Sequence, residues 1–398
     1  MSEMSKTRKA IRRLLLKLVG DRLAMPGALP RDVDFTSARR ILVVRQHDRL
    51  SDLLFSLPAL RAIRKTAPFA RITIIANRAH AQVLRNHEFV DEVLAFGPSV
   101  GQWDVVSIWR FIKRLRRRYD LAVVLNTDYH SLLSDLLARF SRARQILGSA
   151  ELVFDAWQHN QLYSLRAPAV PFPQHQADRN LQIMRYVGFT TSDLSSRIHL
   201  SSDEFNQACE HLLHQGVKYR NFNLGIHLDS EPGEEEWPVH RLVQVARHFS
   251  RERSARIIAI WTGRGAERGL RFLEGLPFAP IICGDIELRK QLGIMACCDA
   301  VVCCNLDAMG MAAGLRIPMV GLFGKKDPRL WKPVGERFLA LQGRDRTCLD
   351  IHPDAVIQAV SDMTSAFPKP AESSNSGFDI SEQALDDFLG FGDIRETY

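Results

Sequence analysis

Short, continuously apolar runs alternate along the chain with longer stretches in which apolar residues recur every third or fourth position. From Ile41 the order is "ILVVR", a helical stretch from Ser56 to Thr66, "RITIIA", another from Ala79 to Asn86, "VDEVLAF", a basic helix and "LAVVLN". Strands that are apolar throughout, separated by amphipathic helices, predict a parallel sheet covered on both faces. The first half is therefore expected to be a doubly wound α/β domain.

Residues 149–200 are mixed: "RAPAVPFPQHQ" reads as an extended, proline-stiffened connection, and "HQADRNLQIMRYVG" returns to helical spacing. A second α/β series follows, with "NLGIHLD", a helix from Val239 to Ser250, "ARIIAIWTG", "APIICGD", a helix from Leu288 to Cys298, "DAVVCCN", a helix from Met309 to Leu315 and "IPMVGLFG". The pattern predicts a basic arm (1–40), an N-terminal Rossmann-like domain that would take an acceptor (41–200), a C-terminal Rossmann-like domain that would take a nucleotide (201–366) and a tail (367–398). In the tail "PKPAESSNSGFDISEQ" has the composition of a disordered linker, while "ALDDFLGF" has the spacing of a helical turn able to dock.

Composition narrows the class. A chain of 398 residues suits two domains, and 46% hydrophobic with 25% charged residues is the make-up of a globular protein. No segment approaches the ~20 uninterrupted apolar residues that span a bilayer. The N-terminal "MSEMSKTRKAIRRLLLKLVG" lacks a small-residue cleavage site and does not read as a signal peptide. On a helix its Ile11, Leu14, Leu15 and Leu18 form one stripe beside Arg8, Arg12, Arg13 and Lys17. Such an arm either lies on an anionic membrane surface or packs on the body of the protein.

The net charge of +8 implies an anionic partner, whether phosphorylated substrate, acidic lipid or nucleic acid. The basic run "RFIKRLRRRYD", residues 110–120, lacks the interleaved aromatics of a single-strand binder, so it reads as a solvated helix face and nucleic acid is not expected. The cysteines, including the adjacent pairs Cys297–Cys298 and Cys303–Cys304, have no zinc-ligand spacing. They read as reduced, buried thiols, and no metal site is expected.

Two Rossmann-like domains facing a cleft suit a nucleotide-sugar glycosyltransferase of the GT-B type, and equally several epimerases and binding proteins. Ligands in such sheets bind outside the carboxyl ends of the strands. The first such turn, "RQHDRLSD", places Asp52 at the start of a helix, where backbone N–H groups stabilise a carboxylate. A carboxylate there can take a proton from a sugar hydroxyl as it attacks an anomeric carbon; it can also be an ordinary first-turn acid.

The stretch "ILVVRQHDRLSDLLFSLPALRAIRKTAPFARITIIA" resembles the opening of the ADP-heptose:lipopolysaccharide heptosyltransferases, glycosyltransferase family 9. The resemblance continues through "HQADRNLQIMRYVG", "GIHLDSEPGEEEWPVHRL", "WTGRGAE", "AMGMAAGLRIPMVGLFGKKDP" and "CLDIHPDAVIQAV", covering about residues 41–365. It implies a GT-B fold and inverting transfer of a heptose or related sugar from a nucleotide diphosphate, expected to be ADP-linked, to a lipopolysaccharide or other lipid-linked surface-glycan acceptor. No cofactor or metal beyond that co-substrate is implied. The expected location is cytoplasmic, peripheral on the inner face of the membrane through residues 1–20.

Carried over residue by residue, the implied base is Asp52, with Arg45, His47 and Ser51 on the acceptor side. The donor side would comprise His227, Ser230, Trp237, Thr262, Gly263, Glu267 as a partner for ribose hydroxyls, and Ile286. Three departures stand out. Ser51 replaces a glycine before the base. Glu235 occupies the place of a lysine that meets donor phosphates; a carboxylate there, about 4 Å from a phosphate charge, would cost about 4 kcal/mol at an effective dielectric of 20. The phosphate loop, usually Asp-Ser/Thr-Gly with a later His, is Asn305, Leu306, Asp307 and Gly310. Lys325 and Lys326 are candidate compensating cations. These departures keep a second reading open, a non-catalytic homologue that binds or scaffolds in envelope glycan assembly. A third, an epimerase or hydrolase, matches the motif order less well.

Overall fold

The apolar run Ile41–Val44 is completely buried in the first strand of a six-stranded sheet, as expected of a strand covered on both faces. The computed structural model describes residues 16–368 except 19, 47–48, 98–103, 128–130, 152, 155–156, 219–220 and 235. The Glu235 and His47 assignments, the stripe Ile11–Leu14–Leu15 and the tail from 369 lie outside these described residues.

The chain forms two units, Met1–Leu194 and Ser195–Tyr398. In the first, β1 (Arg40–Arg45), β2 (Arg71–Asn77), β3 (Glu92–Phe96), β4 (Leu121–Val124), β5 (Gln145–Ser149) and β6 (Leu165–Ala167) pair in the order β3-β2-β1-β4-β5-β6. All described pairings are parallel. In the second, β7 (Asn223–Ser230), β8 (Arg256–Trp261), β9 (Ile281–Gly284), β10 (Ala300–Cys304), β11 (Met319–Phe323) and β12 (Phe338–Gln342) pair in the order β12-β11-β10-β7-β8-β9, again in parallel. Both sheets reverse strand order beside their first strand, the switch point at which doubly wound folds open a crevice.

Several elements differ from the pattern. The stretch expected to be helical over Ala79 to Asn86 contains only a single tight turn, Ala81–Leu84. The helix expected from Met309 begins three residues earlier, at Leu306, because Asn305 caps it by accepting from the N–H groups of Asp307 and Ala308. Within the mixed segment, β6 is held in place by a buried polar group: Asp135 accepts from Asn160 Nδ2 at 2.9 Å and from the Tyr163 hydroxyl.

The described part of the N-terminal arm packs on the first unit. Leu16 is buried in its core, Trp157 Nε1 donates to the Leu16 carbonyl at 3.0 Å, and Arg139 Nε donates to the Leu23 carbonyl at 2.8 Å. Among the described residues no helix is long and apolar enough to cross a membrane.

Candidate functional site

At the carboxyl end of β1 the chain turns into the five-residue helix Leu50–Leu54, whose Leu50, Leu53 and Leu54 are buried. That anchoring places Asp52 in the first turn, only 3% exposed. Arg45, the last residue of β1, is its partner: Nη2 stands 3.5 Å from Asp52 Oδ1, and Nε donates to the Asp52 carbonyl at 3.1 Å. Arg45 Nη1 also donates to the Leu125 carbonyl beyond β4. The guanidinium thus ties two strand ends to the carboxylate, and its donors face inward. Ser51 beside them is buried.

The same strand end gathers polar groups that the motif reading left unassigned. Asn126 and Thr127, following β4, are buried. Gln176 Nε2 donates to Thr127 Oγ1, and Arg179 donates to the Thr127 carbonyl. Gln46 Nε2 donates to Ser134 Oγ at 3.1 Å, and the His175 ring lies edge-on to Phe55 with centroids 5.7 Å apart. Three of these residues fall in "HQADR", so the signal was present in the sequence without a role attached.

In the second unit the strand ends β7, β8, β10 and β11 bring together His227, Ser230, Thr262, Asn305, Leu306 and Lys326. Asp229 at the end of β7 accepts from Thr262 N at 3.0 Å and Thr262 Oγ1 at 2.6 Å. Any side chain at Gly265 would collide with this carboxylate. His227 is 1% exposed, and neither ring nitrogen has a hydrogen-bond partner among the described residues. Burial lowers its pKa, with Asp229 and Asp307 pulling the other way, so the imidazole is held neutral.

The loop after β7 is fixed from behind. Trp237 is wholly buried and donates through Nε1 to the Ile351 carbonyl at 3.0 Å, so the indole anchors the loop in the core. Arg268 donates to the carbonyls of Leu228 and Trp237 at 2.8 and 3.0 Å and to Glu236 Oε2 at 2.9 Å. Ser230 Oγ donates to Glu236 Oε1 at 2.8 Å. Burial works against the Glu236 charge, yet these bonds from Ser230 and Arg268 hold its carboxyl below the ordinary value. Glu267 is largely exposed and pairs with Arg271 at 3.6 Å. Ile286 is partly exposed between β9 and the helix Leu288–Ala296, and Gly263 is exposed.

The helix Leu306–Gly314 starts at the loop expected to take a phosphate, and its first N–H groups are already engaged. Asn305 Oδ1 accepts from Asp307 N at 2.8 Å and Ala308 N at 3.2 Å, while Asn305 Nδ2 donates to the Ser230 carbonyl at 3.0 Å. The Leu306 N–H donates to Glu231 Oε2 at 3.0 Å, and the other oxygen, Oε1, accepts from Lys326 Nζ at 2.7 Å. The Leu306 side chain is buried in the core, as is Gly310 inside the helix. Of the two lysines, Lys326 is therefore committed to Glu231. Lys325 is exposed, with its backbone N–H on Glu234 Oε2 at 2.8 Å.

All seven cysteines are free and buried, and burial pushes the thiols of Cys283 and Cys304 up to about 12. Such thiols stay protonated and are poor ligands or nucleophiles.

The model of glycosyltransferase family 9 (heptosyltransferase) matches residues 108–352, more than half of the chain. Lipooligosaccharide heptosyltransferase 2 of Haemophilus influenzae is 18% identical, over 79% of this chain and 96% of its own length. Among solved structures, a glycosyl transferase family 9 protein from Veillonella parvula superposes with a TM-score of 0.72 at 18% identity, covering 82% of this chain and 97% of its own. The ADP-heptose lps heptosyltransferase II of E. coli gives 0.66 at 20% identity, covering 82% and 99%. The chain, with its two parallel six-stranded sheets, shares the GT-B fold with these structures. On the extent of the family match, the chain belongs to glycosyltransferase family 9.

Proposed function

We propose that this family 9 glycosyltransferase moves a heptose or related sugar from an ADP-linked donor to a lipopolysaccharide-type acceptor, with Asp52 as the general base. The observation that carries the reading is the Asp52 carboxylate, set in the first helical turn after β1 and oriented by Arg45 at 3.5 Å. The names of the relatives, which are heptosyltransferases of lipooligosaccharide and lipopolysaccharide, support the sugar and acceptor class.

In this scheme the acceptor hydroxyl loses its proton to Asp52 as its oxygen attacks the anomeric carbon from the face opposite the diphosphate. The bond from that carbon to the phosphate oxygen breaks, the configuration inverts, and the nucleoside diphosphate leaves. In the second unit the diphosphate's charge would be met by the Leu306 N–H and the Lys326 ammonium once Glu231 releases them. The test is steady-state transfer from ADP-heptose to a deacylated lipopolysaccharide core by the parent and by Asp52→Asn. Equal turnover by the two proteins would remove Asp52 as the base.

A second reading, a non-catalytic homologue that binds glycan or scaffolds its assembly, is favoured by one observation: the helix start at Leu306 already holds the carboxylate of Glu231. Absence of nucleotide binding to the parent and to every loop variant would select it.

We also assign the enzyme to an anionic membrane surface at the cytoplasmic face. Support comes from the helix Val105–Leu115. Its inner arc, Phe111 and Leu115, faces the sheet side, where Phe111 stacks on Phe96 at 5.3 Å. Its outer arc holds Val105, Val106, Ile108, Trp109 and Ile112, all exposed, with Val105 at 82% and Trp109 at 59%. The basic residues of the run 110–120 are exposed, as expected of a solvated face, and they flank an exposed apolar one. Lys113 Nζ lies 4.9 Å above the Trp109 ring. An apolar arc with an aromatic at its centre and arginines beside it matches a headgroup layer of opposite charge. A second copy, or the basic N-terminal arm, would instead bring like charges together.

A further inference from the structure

The two carboxylate oxygens of Glu231 make the two contacts that a donor phosphate would need in the second unit. One accepts from the Leu306 N–H at the start of the helix Leu306–Gly314; the other takes the Lys326 ammonium. Helix starts bind anions because their first N–H groups lack intrahelical partners and the helix dipole is positive there. Here the anion belongs to the chain itself, and it is 8% exposed.

The loop that carries it is built to reach across. Glu231 is followed by Pro232 and by Gly233 at φ 78°, a left-handed turn suited to glycine, and the Glu234 N–H closes the turn on the Glu231 carbonyl at 3.2 Å. Glu234 then makes a second staple, accepting from the Lys325 N–H, and any side chain at Gly324 would collide with its carboxylate. Gln342 Nε2 pins the receiving loop from below through the carbonyls of Gly324 and Lys326, at 2.6 and 2.9 Å. One acidic loop thus closes on the helix start and on the loop after β11 together. His227 lies buried within β7, three residues before its end, with neither ring nitrogen partnered among the described residues, and it feels the charges of Asp229 and Asp307. A buried neutral imidazole with no protein partner calls for a hydrogen-bonding group from outside the chain, water or ligand.

We propose that Glu231 is an internal stand-in for the donor's phosphate, which the incoming diphosphate displaces by taking over the Leu306 N–H and the Lys326 ammonium. The inference rests on the donor site assigned above and deepens it: Glu231 sets how tightly that site takes a nucleoside diphosphate. With Glu231 in place an incoming phosphate meets a like charge and a neutralised lysine. With the carboxylate gone it meets an unengaged N–H and an unpaired ammonium.

The experiment is calorimetric titration of the full chain with ADP, GDP and UDP, run on the parent, Glu231→Gln, Glu231→Ala and the double variant Glu231→Ala with Lys326→Ala. Both single variants should bind one diphosphate about tenfold or more tightly than the parent, and the double variant should lose that gain, because the ammonium is then absent. Circular dichroism melts of each protein confirm that folded samples are compared, and the near-isosteric glutamine guards against misfolding of the alanine form. Equal or weaker binding by both single variants, with measurable binding by the parent, overturns the stand-in and leaves the donor reading intact. No binding of any nucleotide by any of the folded proteins overturns both.

Discussion

Arg45 and Asp52 form an ion pair at 3.5 Å in which both side chains are almost wholly removed from water. The same guanidinium holds the Asp52 carbonyl and the Leu125 carbonyl, so one side chain fixes Asp52, the short helix and the end of β4. Position and charge of the Asp52 carboxylate are therefore one physical problem, and separate substitutions divide it.

Replacing Asp52 by Asn keeps the shape and an acceptor oxygen for Arg45 while removing the proton-accepting charge. Turnover should fall by about 10²- to 10⁴-fold, the usual worth of a general base, with donor KM little changed. Initial rates at saturating donor check this. A parallel rise in donor KM would instead point to a collapsed turn.

Arg45→Met removes the cation and leaves the Asp52 carboxylate buried beside apolar atoms. Breaking a buried pair from one side costs about 3–5 kcal/mol, so chemical denaturation should show the first unit losing stability of that order. Arg45→Lys should recover part of the loss, since it restores charge without the fork that spans both carbonyls. If the methionine variant were as stable as the parent, Arg45 would not be the organising residue.

Much of this is legible in the sequence alone. Runs such as "ILVV" and "AVVCC" announce buried parallel strands because nothing polar interrupts them, and Asp52 is marked by its place just after the first strand. Glu231 was not legible. Its meaning comes from Leu306 and Lys326, which lie 75 and 95 residues further along the chain, and an acid in the run "SEPGEEE" carries no sign of which of its members reaches a helix start. The helix Val105–Leu115 shows a different limit. Its apolar residues span more than one face, and periodicity does not say which arc meets the sheet and which meets solvent.

His227 gives the second unit a pH dependence with a definite sign. Burial lowers its folded pKa below the ordinary 6.5, so the unfolded chain binds a proton first as the solution is acidified. Stability should be fully present above about 6.5 and decline as pH falls from there toward the lowered folded value. Thermal unfolding between pH 7.5 and 5 should show this slope in the parent and a shallower one in His227→Gln, whose amide does not titrate. Identical slopes would mean that the imidazole finds a proton-stabilising partner in the folded state, with Asp229 or Asp307 the first to examine.

The membrane contact proposed for the exposed arc of the helix Val105–Leu115 would draw on two separable sources of affinity. Its basic residues should contribute about 1 kcal/mol each near an anionic surface, and this part fades with salt. The apolar part, centred on Val105 and Trp109, should persist in salt because it depends on burial of apolar area. Sedimentation with vesicles of phosphatidylglycerol and phosphatidylcholine should therefore show binding that weakens from 50 to 500 mM salt without vanishing. Trp109→Glu should remove the salt-resistant component, since a carboxylate replaces the ring that would enter the headgroup layer. Arg110→Ala with Arg114→Ala should lower only the salt-sensitive one. Arg114 also pairs with Glu92 at 3.7 Å, so the Arg110→Ala single variant isolates the surface effect from the loss of that contact. Vesicle binding unaffected by Trp109→Glu would shift the contact away from this helix and onto the basic N-terminal arm.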